Sequence, residues 1–263
     1  MIDTHCHLTH AKFDDDREQT IVRAAEAGLS ACITIGTGVE DARRVGECIA
    51  AHEGFVFGTA GLDPFSSHRC GERFNEALGQ LRELFEQFPF CAVGEIGLDY
   101  HYDLDPKPVQ RERFARQLLL ADELGLPVVI HVREAHEDMA EVLADHPQVG
   151  GVIHSFTAGP REAERYLELG WMLAFNGVMT FKNASEIRDA ARLTPQDRLL
   201  IETDSPYLAP MPLRGKRCEP AYVAHTLARL AELREESLEA LRETTSNNAR
   251  RLFGLEPAAI IER

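Results

Sequence analysis

The stretch Ile2-Asp3-Thr4-His5-Cys6-His7 stands where two architectures with the same strand and helix alternation part company. An open doubly wound sheet carries a glycine-rich phosphate loop after its first strand. Here that position holds His5 and His7 instead, which favours an α/β fold closed as a TIM-type (β/α)8 barrel. Residues two apart on a strand point to one face, so both imidazoles aim at one point while Cys6 turns away. Two converging neutral imidazoles are half of a metal site. An H-x-H pair alone is a weak motif, because two partly exposed histidines match it equally well. Its weight depends on the ligands that follow.

Onward from His7, short apolar runs alternate with amphipathic stretches, the pattern of repeated βα units. Helices are expected from near residues 14–17 to the glycine at 28, then over 39–51, 109–124, 135–145, 160–169, 184–192, 222–233 and 237–252. Strands are expected over 29–35, 55–60, 90–95, 127–131, 151–154, 171–175 and 199–203, which with the opening stretch makes eight. Phe74, Leu78, Leu81 and Phe85 recur at helical spacing and read as a core stripe. Gly97-Leu98-Asp99-Tyr100 reads as the exit loop of the fourth strand. No Pro/Gly/Ser-rich linker or low-complexity segment interrupts the alternation, so residues 1–263 read as one domain.

Length and composition agree with that reading. A single α/β barrel takes ~250 residues, and the chain has 263, of which 44% are hydrophobic. Met1 stands directly against the first strand, so no basic segment followed by an apolar signal core is expected, and no apolar run of ~18 residues suggests a membrane span. The 6 cysteines are scattered without a C-x-x-C pair, which fits a reducing cytoplasm. A formal net charge of -15 excludes a protein that holds long duplexes by counterion release. A polyanionic substrate would have to be gripped locally, and no protein partner is expected.

Barrel enzymes build their sites at the C-terminal ends of the strands. His5 and His7 close the first expected strand, Asp63 follows the third, Glu95 closes the fourth, His131 the fifth and His154 the sixth, and Asp204 follows the eighth. A lone His131 or His154 is usually a hydrogen-bonded core histidine, but independent core histidines have no reason to recur at one end of successive strands. Imidazoles with carboxylates suit zinc, manganese or other divalent ions, whereas an all-oxygen set would suit calcium. His5, His7, His131 and His154 with Glu95 and Asp204 are too many ligands for one catalytic zinc. Two ions are expected, bridged by a shared carboxylate as in two-metal hydrolases.

At this point the chain resembles the TatD-like deoxyribonucleases of the amidohydrolase superfamily. The resemblance is carried by Asp3-Thr4-His5-Cys6-His7, Gly94-Glu95-Ile96-Gly97-Leu98-Asp99-Tyr100, Pro127-Val128-Val129-Ile130-His131, Ile153-His154-Ser155-Phe156, Glu202-Thr203-Asp204-Ser205-Pro206-Tyr207 and Arg214-Gly215-Lys216-Arg217, nearly end to end and in the family's order. It implies that His5, His7 and Asp204 hold one divalent ion (zinc, magnesium or manganese), that His131 and His154 hold the other, and that Glu95 bridges them. It also implies metal-dependent phosphodiester hydrolysis, often as an exonuclease on DNA or oligonucleotides, with Asp204 doubling as proton acceptor for the attacking water. A carboxylate at a strand end beside an activated water is suitably placed for that work.

Two positions depart from the family pattern. Gly61-Leu62-Asp63-Pro64 stands where Gly-x-His-Pro is usual, and Cys218 stands where Asn is frequent. Asp63 puts an anion or an extra ligand on the substrate side, which keeps open an amidohydrolase-type enzyme acting on a non-nucleic-acid ester, amide or small phosphoester. A metal-bound scaffold without catalysis is disfavoured by the intact ligand set. Arg133, Arg214, Lys216 and Arg217 are the candidate phosphate contacts. Phe13, Tyr100 and Phe156 lie beside ligand blocks and are candidates for base stacking.

Overall fold

Eight parallel strands pair strictly in sequence order, β1 (Ile2–Cys6), β2 (Ala31–Thr37), β3 (Val56–Gly61), β4 (Ala92–Asp99), β5 (Val128–Arg133), β6 (Gly151–Ile153), β7 (Met172–Phe175) and β8 (Leu199–Ile201). The computed structural model describes residues 1–102 and 104–255. The circle is closed between first and last strand: His7 N donates to Ser205 O at 2.7 Å, Asp204 N to His5 O at 2.8 Å and Thr4 Oγ1 to Ile201 O at 3.0 Å. A TIM-type barrel is therefore the fold, as the alternation predicts. Because both faces of each strand are covered, the strands are nearly all apolar runs rather than alternating ones.

The connecting helices are α1 (Arg17–Glu26), α2 (Val39–Ala51), α3 (Pro64–Cys70), α4 (Phe74–Gln87), α5 (Lys107–Leu124), α6 (His136–Ala144), α7 (Pro160–Glu168) and α8 (Ser185–Leu193), followed by α9 (Val223–Arg234) and α10 (Leu238–Phe253). Phe74 and Leu81 of α4 are buried and Leu78 and Phe85 pack against the same cluster, so that stripe is core. Helix α3 was not expected from the pattern: Asp63 caps it by accepting from Ser66 N at 3.0 Å, with Pro64 at its first position. Inside the barrel, Ile2, Ile33, Val129, Val152, Ala174 and Leu200 form one cluster with Ala249 and Phe253 of α10, which plugs the lower end. No helix among the described residues is long and apolar enough to cross a membrane.

This interior lining aims the site residues. His131 follows Val129 by two and His154 follows Val152 by two, so each continues the inward face of its strand. On β4 that simple alternation fails. Ala92 points inward, yet Val93, Ile96 and Leu98 all belong to the outer cluster under the helices. The reversal coincides with a register shift against β5 between Gly94 and Ile96, and an extra residue in a strand flips every later side chain to the other face. Glu95, Gly97 and Asp99 thus face the interior. The strand also runs on to Asp99, where an exit loop was expected.

Gly97 pairs with His131, and a Cβ built there would lie 1.9 Å from His131 O. No rotamer relieves a clash with backbone. Gly97→Ala is therefore expected to pry β4 from β5, destabilising the fold by about 1–3 kcal/mol or more and displacing His131. Urea unfolding, with bound metal measured on the same preparation, checks both effects together.

Candidate metal centre

His5 and His7 reach the barrel mouth from the end of β1 with Nε2 atoms 3.3 Å apart, and Asp204 Oδ1 lies 3.3 Å from His7 Nε2 and 3.7 Å from His5 Nε2. Glu95 joins this group to a second one. Its Oε2 is 3.5 Å from His5 Nε2, while its Oε1 is 3.0 Å from His131 Nδ1 and 3.1 Å from His154 Nε2. The groups His5–His7–Glu95 and Glu95–His131–His154 each gather ligand atoms within 4.8 Å of one another, and they share Glu95. All six expected ligands are thus in one place. Two bare imidazole nitrogens pressed together against a carboxylate oxygen, with His5 Nδ1 buried and unpartnered, make a donor set that suits a divalent cation.

Charge tells the same story. Burial works against the ionised carboxyl of Glu95, but His154, His131 and His5 outweigh it and hold the group well below the usual carboxylate range. Burial likewise opposes the charged ring of His131, yet Asp99 and Glu95 hold it up at about 9. The pocket demands positive charge, which in the absence of a metal only protons supply.

The expected ligands are positioned by residues that the sequence reading passed over. Asp3, fully buried, accepts from Thr203 N at 2.9 Å and Thr203 Oγ1 at 2.6 Å, tying β1 to the segment after β8. The next residue, Asp204, takes a left-handed backbone (φ 58°), a conformation that aspartate tolerates better than most residues. Glu202 accepts from Ser155 N at 2.7 Å and lies 3.5 Å from His154 Nδ1. Asp99 Oδ2 sits 3.0 Å from His131 Nε2, while its Oδ1 accepts from His101 N and Tyr102 N at 3.0 and 3.1 Å. A carboxylate behind a metal-facing histidine fixes its tautomer and ring orientation. In the sequence these groups stand within the blocks that carry the family resemblance, one, two or four residues from a ligand, but nothing there assigns them a role.

The mouth opens into a cavity of about 720 Å³ lined by His7, Glu95, His131, His154 and Asp204, with His5 buried behind them, together with Asp63, Arg133, Phe65, Tyr102 and Tyr207. Asp63 lines the cavity but belongs to none of the metal-sized clusters, and its carboxylate is engaged as the α3 cap. Arg133 stacks over Tyr102 at 5.0 Å. The basic loop lies apart from this cavity: Arg214 is exposed over Phe181 at 4.3 Å, Lys216 is exposed, and Arg217 is bound to Asp16 at 2.6 and 2.7 Å. The aromatic assignment needs correcting. Phe13 and Phe156 are buried core, and Tyr100 hydrogen-bonds Asp138, whereas the partly exposed rings at the cavity are Phe65, Tyr102 and Tyr207. Cys218 is buried, its thiol 3.9 Å from Glu219 O.

A family model described as TatD related DNase matches residues 2–254. A Bacillus subtilis (strain 168) protein named as the uncharacterized metal-dependent hydrolase YabD is 38% identical over 255 residues, covering 96% of this chain and 98% of that protein. The 3'-5' ssDNA/RNA exonuclease TatD of Pantoea ananatis (strain LMG 20103) is 37% identical over 262 residues, covering 97% and 100%. Among solved structures, the TatD homologue YjjV of Escherichia coli K12 superposes with a TM-score of 0.90 at 33% identity, covering 97% of this chain and 98% of that one.

Asp99→Asn separates tautomer control from folding. The amide oxygen can keep both loop hydrogen bonds, but its NH2 then faces His131 Nε2 and drives the ring proton to Nδ1, the atom that faces Glu95. Metal affinity is expected to fall about 10–100-fold, with circular dichroism unchanged. Calorimetric metal titration of the two proteins measures this.

Proposed function

We infer the reaction from the family: this chain belongs to the TatD related DNases and is a metal-dependent hydrolase acting on ester bonds. Its substrate on this reading is a single-stranded oligonucleotide, trimmed from an end by phosphodiester hydrolysis. The observation that supports it most is Glu95 shared between two ligand groups, an arrangement suited to two divalent ions, whether zinc, magnesium or manganese. His5, His7 and Asp204 would hold one ion and His131 and His154 the other, with Glu95 between them. Six free cysteines, five of them buried and none paired, accord with a reducing cytoplasm as the site of action.

Bound divalent ions would supply Lewis acidity, polarising a phosphoryl oxygen and acidifying water. Asp204 lines the cavity, so its carboxylate can take the proton of the attacking water. Arg133, exposed at the cavity wall with its guanidinium stacked on Tyr102, is pre-aimed at a nonbridging phosphate oxygen. Tyr207, 44% exposed at the same cavity and hydrogen-bonded to His10 at 3.1 Å, offers a face for the terminal base. Glu202 and Asp99 hold the imidazoles behind the ligand set.

Incubation with end-labelled single-stranded DNA and RNA, with and without chelator, beside a panel of esters and amides, tests the reading. Metal-dependent release of nucleotides from one end is expected. Turnover of esters or amides alone would favour the amidohydrolase alternative.

Two variants sharpen the chemistry. Asp204→Asn keeps an oxygen ligand but removes the proton acceptor, so kcat should fall by at least ~10²–10⁴-fold at saturating metal. Asp63→Asn keeps a good helix cap and removes an anion from the cavity wall. Repulsion of a phosphate oxygen at 4 Å is roughly 1 kcal/mol even in bulk water, so oligonucleotide kcat/KM should rise by about fivefold with Tm unchanged. A fall in metal content would instead reveal Asp63 as a ligand.

A further inference from the structure

We propose that a second cavity beside the metal centre binds the phosphate next to the scissile one in a single-stranded substrate, through Arg69 and Arg73. The inference rests on the nucleic-acid reading above and extends it to a subsite. The cavity measures about 660 Å³ and shares His7, His10 and Thr37 with the metal cavity, so the two adjoin. A strand whose end lies at the metal centre has this cleft as an outlet, lined by Arg44, Arg69 and Arg73 as well as by Glu40, Asp41 and Glu76.

The cleft lies between α2, α3 and α4. Arg69 projects from the last turn of α3, and Arg73 stands immediately before α4. Both are exposed. Arg69 Nη2 donates to Ser66 Oγ at 2.7 Å, and Ser66 Oγ donates to Thr37 O at 2.8 Å, which draws the guanidinium toward the shared wall. Among the described residues neither Arg69 nor Arg73 forms an ion pair. Most arginines of the chain do, as Arg44 across the same cleft does with Asp41 at 2.9 Å.

Of the three carboxylates in the cleft, only Asp41 is paired with an arginine among the described residues. Asp41 is satisfied by Arg44, Thr9 Oγ1 at 2.8 Å and Thr37 N at 3.0 Å, whereas Glu40 and Glu76 are exposed on α2 and α4. The amino end of the 13-residue α2 has Gly38 as its cap and no side-chain cap bond, so its first N–H groups add to the attraction for an anion. Guanidinium with open backbone N–H groups is the chemistry that recognises a phosphodiester. The loop at Arg214 and Lys216, which lines neither cavity, has no such setting.

The test compares the metal-loaded wild type with an Arg69→Ala/Arg73→Ala variant on three substrates: bis(p-nitrophenyl) phosphate, the dinucleotide TpT and a pentathymidylate. The first two have a single phosphodiester and cannot fill the cleft. KM for pentathymidylate should rise about tenfold with a smaller change in kcat, as for uniform binding. The slope of log kcat/KM against log salt should flatten by roughly 0.7, one phosphate contact on a single strand. The two short substrates should change less than twofold. Unchanged KM and salt slope for pentathymidylate, with the wild type cleaving it, overturn the subsite alone. Equal losses on all three substrates also overturn it, since the arginines would then serve the common reaction. A wild type that cleaves none of the three overturns the nucleic-acid reading and the subsite together.

Discussion

Everything at the barrel mouth depends on the burial of Glu95 among imidazoles. A carboxylate removed from water costs several kcal/mol unless it is paired and hydrogen-bonded, and Glu95 has three histidines around it and neither a lysine nor an arginine among its ion-pair partners. Neutral imidazoles do not offset that cost. Protons or metal ions must, and a pair of ligand groups meeting at one carboxylate is the form that a two-ion solution takes. Residues that stiffen the site follow from the same constraint: Asp99 and Glu202 stand behind His131 and His154, adding anionic charge that further favours a cation in front.

Backbone irregularity delivers that arrangement. A uniform strand would send Glu95 outward with Val93, and only the register shift after Gly94 turns it in. Asp204 arrives by a left-handed residue beyond β8, held by Asp3 through Thr203. Such local strain costs about 1–3 kcal/mol per residue and persists where the surroundings over-determine it, characteristically at functional sites. The regular parts of the barrel supply the rigidity against which these departures are made.

That division explains what could be read from the chain. The eight strands and the helix positions follow from hydrophobic period, which reports burial, and burial is what a two-layer barrel imposes. His5, His7, His131 and His154 were legible because they continue inward strand faces. The extension of β4 through Asp99 was not, since Gly97 opened what read as an exit loop, whereas Gly97 is required for the close approach of β5. Helix α3 was hidden by its shortness and its four polar residues, Ser66, Ser67, His68 and Arg69. Phe13 and Phe156 resembled stacking residues by proximity in sequence, but both lie beyond their strands, where strand alternation no longer sets direction, and both are buried. Arg217 looked free because its partner Asp16 is remote in sequence.

The acidic surface and a polyanionic substrate are compatible once charge is considered by location rather than in sum. Long-range attraction is screened beyond ~8–10 Å at ordinary salt, so the net charge of -15 weighs little on a phosphate already in the cleft. What it does oppose is loose binding of duplex along the outside, which depends on many shallow contacts. On the nucleic-acid reading proposed above, a chain of this charge would hold a strand by local contacts at its cavities rather than along its outside.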